Sequence, residues 1–365
     1  MHNNKMIEER LFALLRMAMW QSCEDYALFD GITDEEWVAI YDKSVEQGVL
    51  ALAFDGVQQL PKAMQPRLNT KVQWGFNVQH IEKLYNKQRA AAQKLVSLYS
   101  ANNIRTLIMK GLNLASYYPT PSHRQFGDID IYLMGDFERG NDLVRSKGVE
   151  IRHDFFVHTE FVINGVNIEN HRWFVNPDIN ATGRYVQEQL VTLAEDLQPF
   201  EAIDGAYTPS PEFNALFLSR HSSWHYAREC IRLRDLCDWA MFLNKEASNL
   251  DTDKTMTLLR KSGLERYASI ITGICRKSLG LKVSLPFTTE YPDLVERVEE
   301  DIMTFDNPEK HNNIGFLRAF FWKTRNRLSR KWCYDKVVPD SFWGNIGYSI
   351  TNYLKQPFAI FRAKL

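Results

Sequence analysis

Polar and apolar residues alternate strictly along residues 128–133. In an extended strand the polar members share one face and the apolar members share the other, in the order Asp128, Ile129, Asp130, Ile131, Tyr132 and Leu133. An apolar run at 106–109 predicts a second strand, and a Lys-Gly turn, a short helix and a Pro-rich loop join the two. The two strands predict the centre of a sheet that presents carboxylates on one face and apolar side chains to a core.

Apolar residues at helical spacing precede these strands. Residues 5–20 carry a helical apolar stripe, and Thr33 followed by Glu36 predicts a capping box at the start of the next helix. Residues 64–101 are periodic and contain no proline after Pro66, which predicts one long helix or two. We expect these helices to form a platform that packs on the sheet.

A helix and then a hairpin are predicted after the alternating strand. The helix covers 136–147 and is followed by Gly148, a signal for its C-terminal end. Strands are predicted within 149–163 and 166–174, because Asn164-Gly165 between them is a strong two-residue hairpin signal. The polar face of the later strand carries Asn167, Glu169 and His171.

From Pro209 onward the pattern is helical. The whole pattern predicts an α/β (α+β) fold in which a small mixed sheet, at about residues 100–180, is flanked by N-terminal and C-terminal helical regions. The predicted regions are an N-terminal helical region at 1–100, a core with the sheet at 101–180, a helical domain at 181–300 and a basic and aromatic C-terminal segment at 301–365.

Composition narrows the class of protein. The 365 residues are 45% hydrophobic and 24% charged with a net charge of −1, which is typical of a globular protein and gives no overall attraction to nucleic acid. The five cysteines are scattered, so we expect reduced thiols and neither a disulfide framework nor a zinc site. Neither a signal peptide nor a membrane-spanning run is evident, so a cytoplasmic location is expected.

The carboxylates of Asp128 and Asp130 are the first candidate for chemistry. They would lie about 7 Å apart along one strand face, and like charges this close disfavour ionisation unless a cation lies between them. Mg²⁺ is held in this way, by one or two carboxylates together with substrate phosphates. The alternative is a pair of solvated acidic residues at a sheet edge. Lys110 and Arg124 add cations nearby, Gly111 opens a helix whose N–H groups can meet an anion, and Gly127 permits close approach of the backbone.

These residues carry a family resemblance. Lys110-Gly111, Tyr118, Arg124 and the G-D-I-D sequence at 127–130 resemble the uncharacterised nucleotidyltransferase family of the polymerase-β-like nucleotidyltransferase superfamily. The turn is Lys-Gly, the form of this smaller family, where the superfamily usually has Gly-Ser. The resemblance implies a nucleotidyltransferase sheet and Mg²⁺- or Mn²⁺-dependent transfer of a nucleoside monophosphate from an NTP, such as ATP, to an unidentified small-molecule or protein acceptor.

The resemblance also implies roles for residues. Asp128, Asp130 and a third carboxylate, Glu169, would be catalytic and would bind the metal, while Lys110 and Gly111 would steady the phosphates. Arg124 and Gly127 belong to the same nucleotide-binding motif. The residues around Glu169 match the family pattern approximately, and the alternative is a surface glutamate on a strand. His158, on the preceding strand, either faces the same site or is an ordinary solvated or core histidine.

A helical segment of the same family resembles the chain from His221 to Asp238. There H-x-x-x-H is followed by R-L-R-D-L-x-D, and family members place His and Arg residues at the nucleotide cleft, so His225 and Arg234 are candidate nucleotide contacts. The alternative for Arg234 is a salt bridge to Asp238 on the helix surface. The alternative for the histidines is a buried aromatic face.

Two other functions stay open on the sequence. The first is a non-catalytic nucleotide-binding or partner-binding protein that has kept the fold, and the second is a zinc hydrolase that uses His221 and His225, which lacks an obvious third ligand. Residues 315–331 are basic and amphipathic, so they pack on the fold as a closing helix or contact a membrane surface or partner. Sequence-specific binding to nucleic acid is not expected.

Overall fold

The computed structural model describes residues 2–22, 26–283, 290–304 and 325–347. The N-terminal helices are α1 (His2–Trp20), α2 (Asp34–Glu46), α3 (Leu50–Gln59) and the long α4 (Leu68–Ser100). The α2 helix starts with the expected capping box, since the Thr33 hydroxyl accepts from the Glu36 amide at 3.2 Å and the Thr33 amide donates to the Glu36 carboxylate at 2.9 Å. Residues 68–100 form one continuous helix, the first of the two predicted possibilities.

The strands and their connecting helices follow. They are β1 (Thr106–Ile108), α5 (Lys110–Ala115), β2 (Ile129–Tyr132), α6 (Phe137–Ser146), β3 (Ile151–Asp154), β4 (His158–Ile163), β5 (Val166–His171), α7 (Ala181–Leu193), β6 (Gln198–Pro199) and β7 (Ala206–Thr208). The C-terminal helices are α8 (Pro211–Glu229), α9 (Leu233–Glu246), α10 (Thr252–Lys261), α11 (Glu265–Lys277), α12 (Pro292–Thr304) and α13 (Lys331–Lys336).

The strands of the described chain join in one mixed sheet in the order β3-β4-β5-β2-β1-β7-β6. The central strand β2 is antiparallel to β1 and parallel to β5, and its register places Asp130 opposite Glu169. Because side chains alternate along both strands, opposite residues project from the same face of the sheet. The fold class is therefore as predicted, and the register brings two of the candidate carboxylates together.

Two apolar cores hold the sheet in place. The smaller core lies between α4 and the apolar face of the sheet, where Tyr99, Ile129 and Ile131 are all 1% exposed or less. The larger core packs the N-terminal helices against the C-terminal helices and includes Trp37 and Trp74, whose rings meet edge to face at 6.4 Å. The platform expected from the N-terminal helices is present, and it leaves the polar face of the sheet turned towards α8 and α9.

The sheet differs from the prediction at two places. The single strand expected within 149–163 is a hairpin of β3 and β4, because the chain reverses at 155–157, where the Phe155 amide donates to the His158 carbonyl at 2.8 Å. The sheet also extends beyond residue 180, since β7 pairs in parallel with β1. Three-residue strands give too short an alternation to recognise in a sequence. The Asn164-Gly165 turn is confirmed, with positive φ at both residues.

Other predictions can be checked in part. Cys230, Cys237, Cys275 and Cys333 are free and buried, as expected, and Cys23 lies outside the described residues. Most of the basic segment 315–331 and the aromatic tail beyond 347 also lie outside them. Within the described ranges, no helix combines the length and the apolar character that crossing a bilayer requires.

His123 joins the Pro-rich loop to the N-terminal helices and makes stability depend on pH. Its Nδ1 lies 2.7 Å from Asp55 and its Nε2 3.0 Å from Glu82. Burial alone would lower the pKa of His123, but the two carboxylates raise it above the usual value. Because the folded-state pKa is raised, this stabilisation is complete below the unfolded pKa of about 6.5 and is lost as pH rises through the folded pKa.

We therefore expect His123→Gln to lower the free energy of unfolding by about 1–3 kcal/mol at pH 6, with a smaller loss at pH 9. Urea denaturation at the two pH values measures the difference. The matched control is His80→Gln, which replaces an exposed histidine on α4. A loss for His123→Gln that is equal at both pH values would contradict a charged ring.

Candidate active site

Three carboxylates converge on the polar face of the sheet. Asp128 directly precedes β2, Asp130 lies within it, and Glu169 lies opposite Asp130 on β5. Asp130 is 2% exposed, so its charge is almost wholly removed from water. The sheet register, which the sequence does not specify, brings Glu169 opposite Asp130, which lies 39 positions earlier in the chain.

Burial and mutual repulsion of the carboxylates favour protonation of one member of the cluster, Asp128. Burial, followed by the charges of Asp130 and Glu169, raises the pKa of Asp128 to about 7. A hydrogen bond between Asp128 and Glu169 also favours the protonated form of Asp128. The donor set therefore fits a hard divalent cation, which binds carboxylate oxygens and would replace the proton that these residues otherwise share.

Lys110 lies inside this cluster as a counter-charge. Its Nζ is 3.2 Å from Asp130 Oδ1 and 3.4 Å from His221 Nε2. Burial would raise the pKa of Asp130, but Lys110 and then His171 hold it well below its usual range. Burial, together with the charges of Lys110 and His225, lowers the pKa of His221 well below its usual value, so this imidazole is neutral beside the ammonium group.

Two histidines flank the carboxylates on the β4–β5 hairpin. His171 Nε2 lies 3.1 Å from Asp130 Oδ1 and 3.4 Å from Glu169 Oε2, and His158 Nδ1 lies 3.7 Å from the same Glu169 oxygen. Burial would lower the pKa of His171, but the two carboxylates raise it to about 9. The site role of His171 was not predicted, although its place on the polar face of β5 with Glu169 was a usable signal.

The Lys-Gly turn has an unusual backbone. Lys110 has φ 29° and Gly111 has φ 28° with ψ −105°, within a segment that otherwise has helical hydrogen bonding. Non-glycine residues rarely adopt a positive φ, and such strain is concentrated at functional sites. A Cβ on Gly111 would lie 3.2 Å from the Phe126 ring and 3.4 Å from the Asp128 carbonyl oxygen. The close backbone approach expected at Gly127 occurs at Gly111 instead.

The two glycines give a matched pair of substitutions. We expect Gly111→Ala to lower the free energy of unfolding by about 1–3 kcal/mol, because alanine is strained at this φ and meets the Phe126 ring. Gly127→Ala should change it little, since no atom lies within 4 Å of a Cβ there. Urea denaturation of both variants measures the difference, and equal effects would contradict the constraint at Gly111.

An open cleft, with about 610 Å³ of empty space when the part open to solvent is included, adjoins the carboxylates. It lies between the sheet and helices α8 and α9. Its lining comprises Lys110, Gly111, Leu114, Arg124, Phe126, Gly127, Asp128, Asp130, Leu218, His221, Ser222, Arg234, Asp235, Asp238 and Trp239. Phosphate groups that enter this cleft would meet Lys110 and the Asp128–Asp130 pair together.

Arg124 is bound within the protein at the base of the cleft. Its Nε and Nη2 donate to the two carboxylate oxygens of Asp238 at 2.9 and 2.6 Å, and the Tyr118 hydroxyl donates to Asp238 at 2.7 Å. Its Nη1 donates to the Gly111 carbonyl at 3.3 Å. The family motif residues Tyr118 and Arg124 thus fix α9 to the Lys-Gly turn.

The remaining candidates lie on α8 and α9. Arg234 lines the cleft, and its Nη1 donates to the Gln125 carbonyl at 3.3 Å. The alternative salt bridge between Arg234 and Asp238 is not formed, because Asp238 binds Arg124. His225 lies one helical turn beyond His221, outside the cleft lining, and pairs with Glu229 at 2.5 Å. The ring contacts from Phe217 to His221 and on to His225 agree with the aromatic face.

Ligand groups for a transition metal occur elsewhere in the described chain. They are His158, Glu169 and His171, and no such group contains His221 and His225. The zinc site on α8 therefore lacks its third ligand within the residues that the structure describes.

Comparison with known proteins gives a family match over most of the chain. The family model described as uncharacterised nucleotidyltransferase matches residues 33–280, which include the sheet, the Lys-Gly turn and the α8–α9 wall of the cleft. No curated protein matches the chain. A solved structure, described as an antigenic nucleotidyltransferase-like protein from Paracoccidioides brasiliensis, is 16% identical over 55% of this chain and 94% of its own, with a TM-score of 0.33. The family match covers most of the sequence, and the chain therefore belongs to the uncharacterised nucleotidyltransferase family.

Proposed function

We propose that this protein transfers a nucleoside monophosphate from an NTP, ATP among the candidates, to an acceptor hydroxyl or phosphate. The observation that carries the proposal is the convergence of Asp128, Asp130 and Glu169 beside a cleft that Lys110 and Arg234 also line. The family assignment supports nucleotidyl transfer in general. The donor, the metal and the acceptor are proposed here from the chemistry of the cleft.

Asp128, Asp130 and Glu169 would hold Mg²⁺, with Mn²⁺ as the alternative. When bound, the ion would act as a Lewis acid that stabilises the negative charge developing on the phosphate oxygens during transfer. Asp130 is suited to this role because Lys110 and His171 keep it ionised. The raised pKa of Asp128 means that metal binding releases a proton, so metal affinity should weaken below about pH 7.

Lys110, the Gly111 amide and Arg234 would bind the triphosphate. The ammonium group of Lys110 and the guanidinium group of Arg234 both line the cleft, and both are good donors to phosphate oxygens. The open space beside Gly127 leaves room for a phosphate next to Asp128. Arg124 would act as a positioning residue through its bond to the Gly111 carbonyl, and His225 would contact the nucleotide only at the outer end of α8.

The transfer itself needs one nucleophile and one leaving group. An oxygen of the acceptor would attack the α-phosphorus, and the bond from that phosphorus to the bridging oxygen of pyrophosphate would break. Pyrophosphate leaves with the bonding electron pair. Glu169 would take the proton of the acceptor, because His171 holds the pKa of Glu169 below its usual range despite burial and so keeps it ionised.

The second candidate is a binding protein that holds an NTP and transfers nothing. It shares the cleft and the carboxylates, so nucleotide affinity does not separate the two functions. The observation in its favour is the ion pair between Lys110 and Asp130, which gives the cluster an internal cation at rest.

Labelled nucleotides distinguish transfer from binding. The full chain would be incubated with Mg²⁺, cell lysate and an NTP that carries its label on either the α- or the γ-phosphate. Nucleotidyl transfer predicts that the α-label enters a new protein or metabolite while the γ-label leaves as pyrophosphate. Removal of divalent metal by EDTA is the control. A γ-label in the acceptor, or no product from an NTP that binds, would contradict the proposed transfer.

A further inference from the structure

Two imidazoles and one carboxylate meet on the β4–β5 hairpin. His158 and His171 are direct cross-strand partners, and Glu169 precedes His171 by two residues on the same face. One ligand atom from each of the three lies within 4.8 Å of the others. The group shares Glu169 with the carboxylate cluster, and none of its three residues is among those that line the cleft beside Lys110.

Each imidazole is oriented by an acceptor on its outer side. His171 Nδ1 lies 3.2 Å from the Trp173 carbonyl oxygen and donates to it, which turns Nε2 towards Glu169. His158 Nε2 lies 3.4 Å from Glu160, which turns Nδ1 towards Glu169. Metal-binding histidines usually have this arrangement, in which an acceptor holds one ring nitrogen and leaves the other free for the ion.

The spacing suits a small ion with tetrahedral geometry. Glu169 Oε2 is 3.4 Å from His171 Nε2 and 3.7 Å from His158 Nδ1. Zinc with ligands at about 2.0–2.2 Å requires ligand atoms about 3.3–3.6 Å apart around a tetrahedron. The two distances to Glu169 therefore need little adjustment, and all three ligand atoms lie within 4.8 Å of one another.

The surroundings hold the ligands in place. The Phe155 ring packs against His158 at 5.3 Å between ring centres and covers one side of it. Behind the strands, Asn141 accepts hydrogen bonds from Thr159 at 2.9 Å and Asn170 at 3.0 Å, which fixes the pairing of β4 with β5. Asp130 Oδ1 lies 3.1 Å from His171 Nε2, so an ion here would adjoin the carboxylate pair.

We propose that His158, Glu169 and His171 bind a zinc-type transition-metal ion, a second metal site beside the one assigned to Mg²⁺. Two imidazoles and a carboxylate are a ligand set of zinc enzymes, whereas Mg²⁺ prefers oxygen ligands throughout. This second site rests on the proposed function, because both use Glu169. It can be tested separately, because it binds its ion in the absence of nucleotide.

Metal binding to the full chain tests the site directly. Metal-free protein would be titrated with Zn²⁺ by calorimetry and with Co²⁺ by visible absorption, in the absence of nucleotide. We expect one ion to bind to the His158, Glu169 and His171 site of each chain, with the visible absorption of tetrahedral Co²⁺ when cobalt is used. His158→Gln should weaken binding of both ions by about 100-fold or more. The matched control is His153→Gln, an exposed histidine on the neighbouring strand β3, which should bind as wild type does.

A further pair of variants separates this site from nucleotidyl transfer. Asp128→Asn should lose Mg²⁺-dependent nucleotide binding but weaken Zn²⁺ binding far less than His158→Gln does, because Asp128 contacts Glu169 without being one of the three ligands. Circular dichroism of His158→Gln checks that its fold is intact. Zn²⁺ affinity that is unchanged in His158→Gln, or absent from the wild type, would overturn the second site and leave the Mg²⁺ proposal untouched.

Discussion

Replacing Asp128 and Asp130 together by asparagine should abolish Mg²⁺-dependent nucleotide binding and lower turnover by about 10³-fold or more. Asp128 and Asp130 line the cleft as members of the carboxylate cluster, and asparagine keeps their size but removes their charge. Calorimetry with Mg²⁺ and nucleotide measures the binding, and the α-labelled transfer reaction measures the turnover.

The single variant Asp128→Asn separates an effect on metal binding from an effect on stability. Burial among carboxylates raises the pKa of Asp128 to about 7, so its charge opposes folding at neutral pH and its removal should leave stability unchanged or increase it. The surface control is Asp142→Asn, which changes a side chain that is 75% exposed and pairs with Arg145 on the same helix. Nucleotide binding that survives in a folded Asp128→Asn/Asp130→Asn protein would place the metal elsewhere.

Local patterns predict the parts of this fold that are determined within a few residues. The alternation at 128–133, the capping box of Thr33 and Glu36 and the Asn164-Gly165 turn each depend on neighbours in the chain, and each is found in the structure. The opposition of Asp130 and Glu169 depends on the parallel pairing of β2 with β5. The sequence pattern indicated only that both strands belong to one sheet, and the family resemblance suggested the third carboxylate.

Partner choice between distant charged groups was the least predictable feature. The spacing of Arg234 and Asp238 favours a pair within one helix. In the structure Asp238 instead accepts from Arg124, which is 114 residues away in the chain. Both members of the Arg124–Asp238 pair are buried, where two parallel hydrogen bonds offset desolvation better than one exposed contact does. Burial of this kind follows from tertiary packing, which periodicity does not reveal.

The charge balance of the site links the fold to the proposed chemistry. Lys110 lies within 3.2 Å of Asp130 and belongs to a turn with strained backbone angles. Lys110 neutralises part of the cluster in this structure, and in the proposed transfer it would turn towards phosphate when a divalent ion takes over that neutralisation. The strain at Lys110 and Gly111 is therefore consistent with a turn shaped for ligand contact and not for stability alone.

Glu169→Gln should lower turnover by about 10²–10⁴-fold while nucleotide affinity falls much less. Asp128 and Asp130 still offer two carboxylates to the metal and triphosphate in this variant, but the group positioned to accept the acceptor's proton is lost. Glutamine keeps the shape of the side chain, and its carbonyl oxygen can still accept from His171. Turnover of the α-labelled NTP and nucleotide affinity, both measured with saturating Mg²⁺, separate the two effects.

The control for this substitution is Glu150→Gln, which removes an exposed carboxylate just before β3. It should match wild type in both measurements. A loss of nucleotide affinity with unchanged turnover in Glu169→Gln would mean that Glu169 holds the metal and takes no proton, because a contact made equally in the ground state and the transition state changes affinity without changing turnover at saturation. Affinity and turnover that both match wild type would remove Glu169 from the site and leave the chemistry to Asp128 and Asp130.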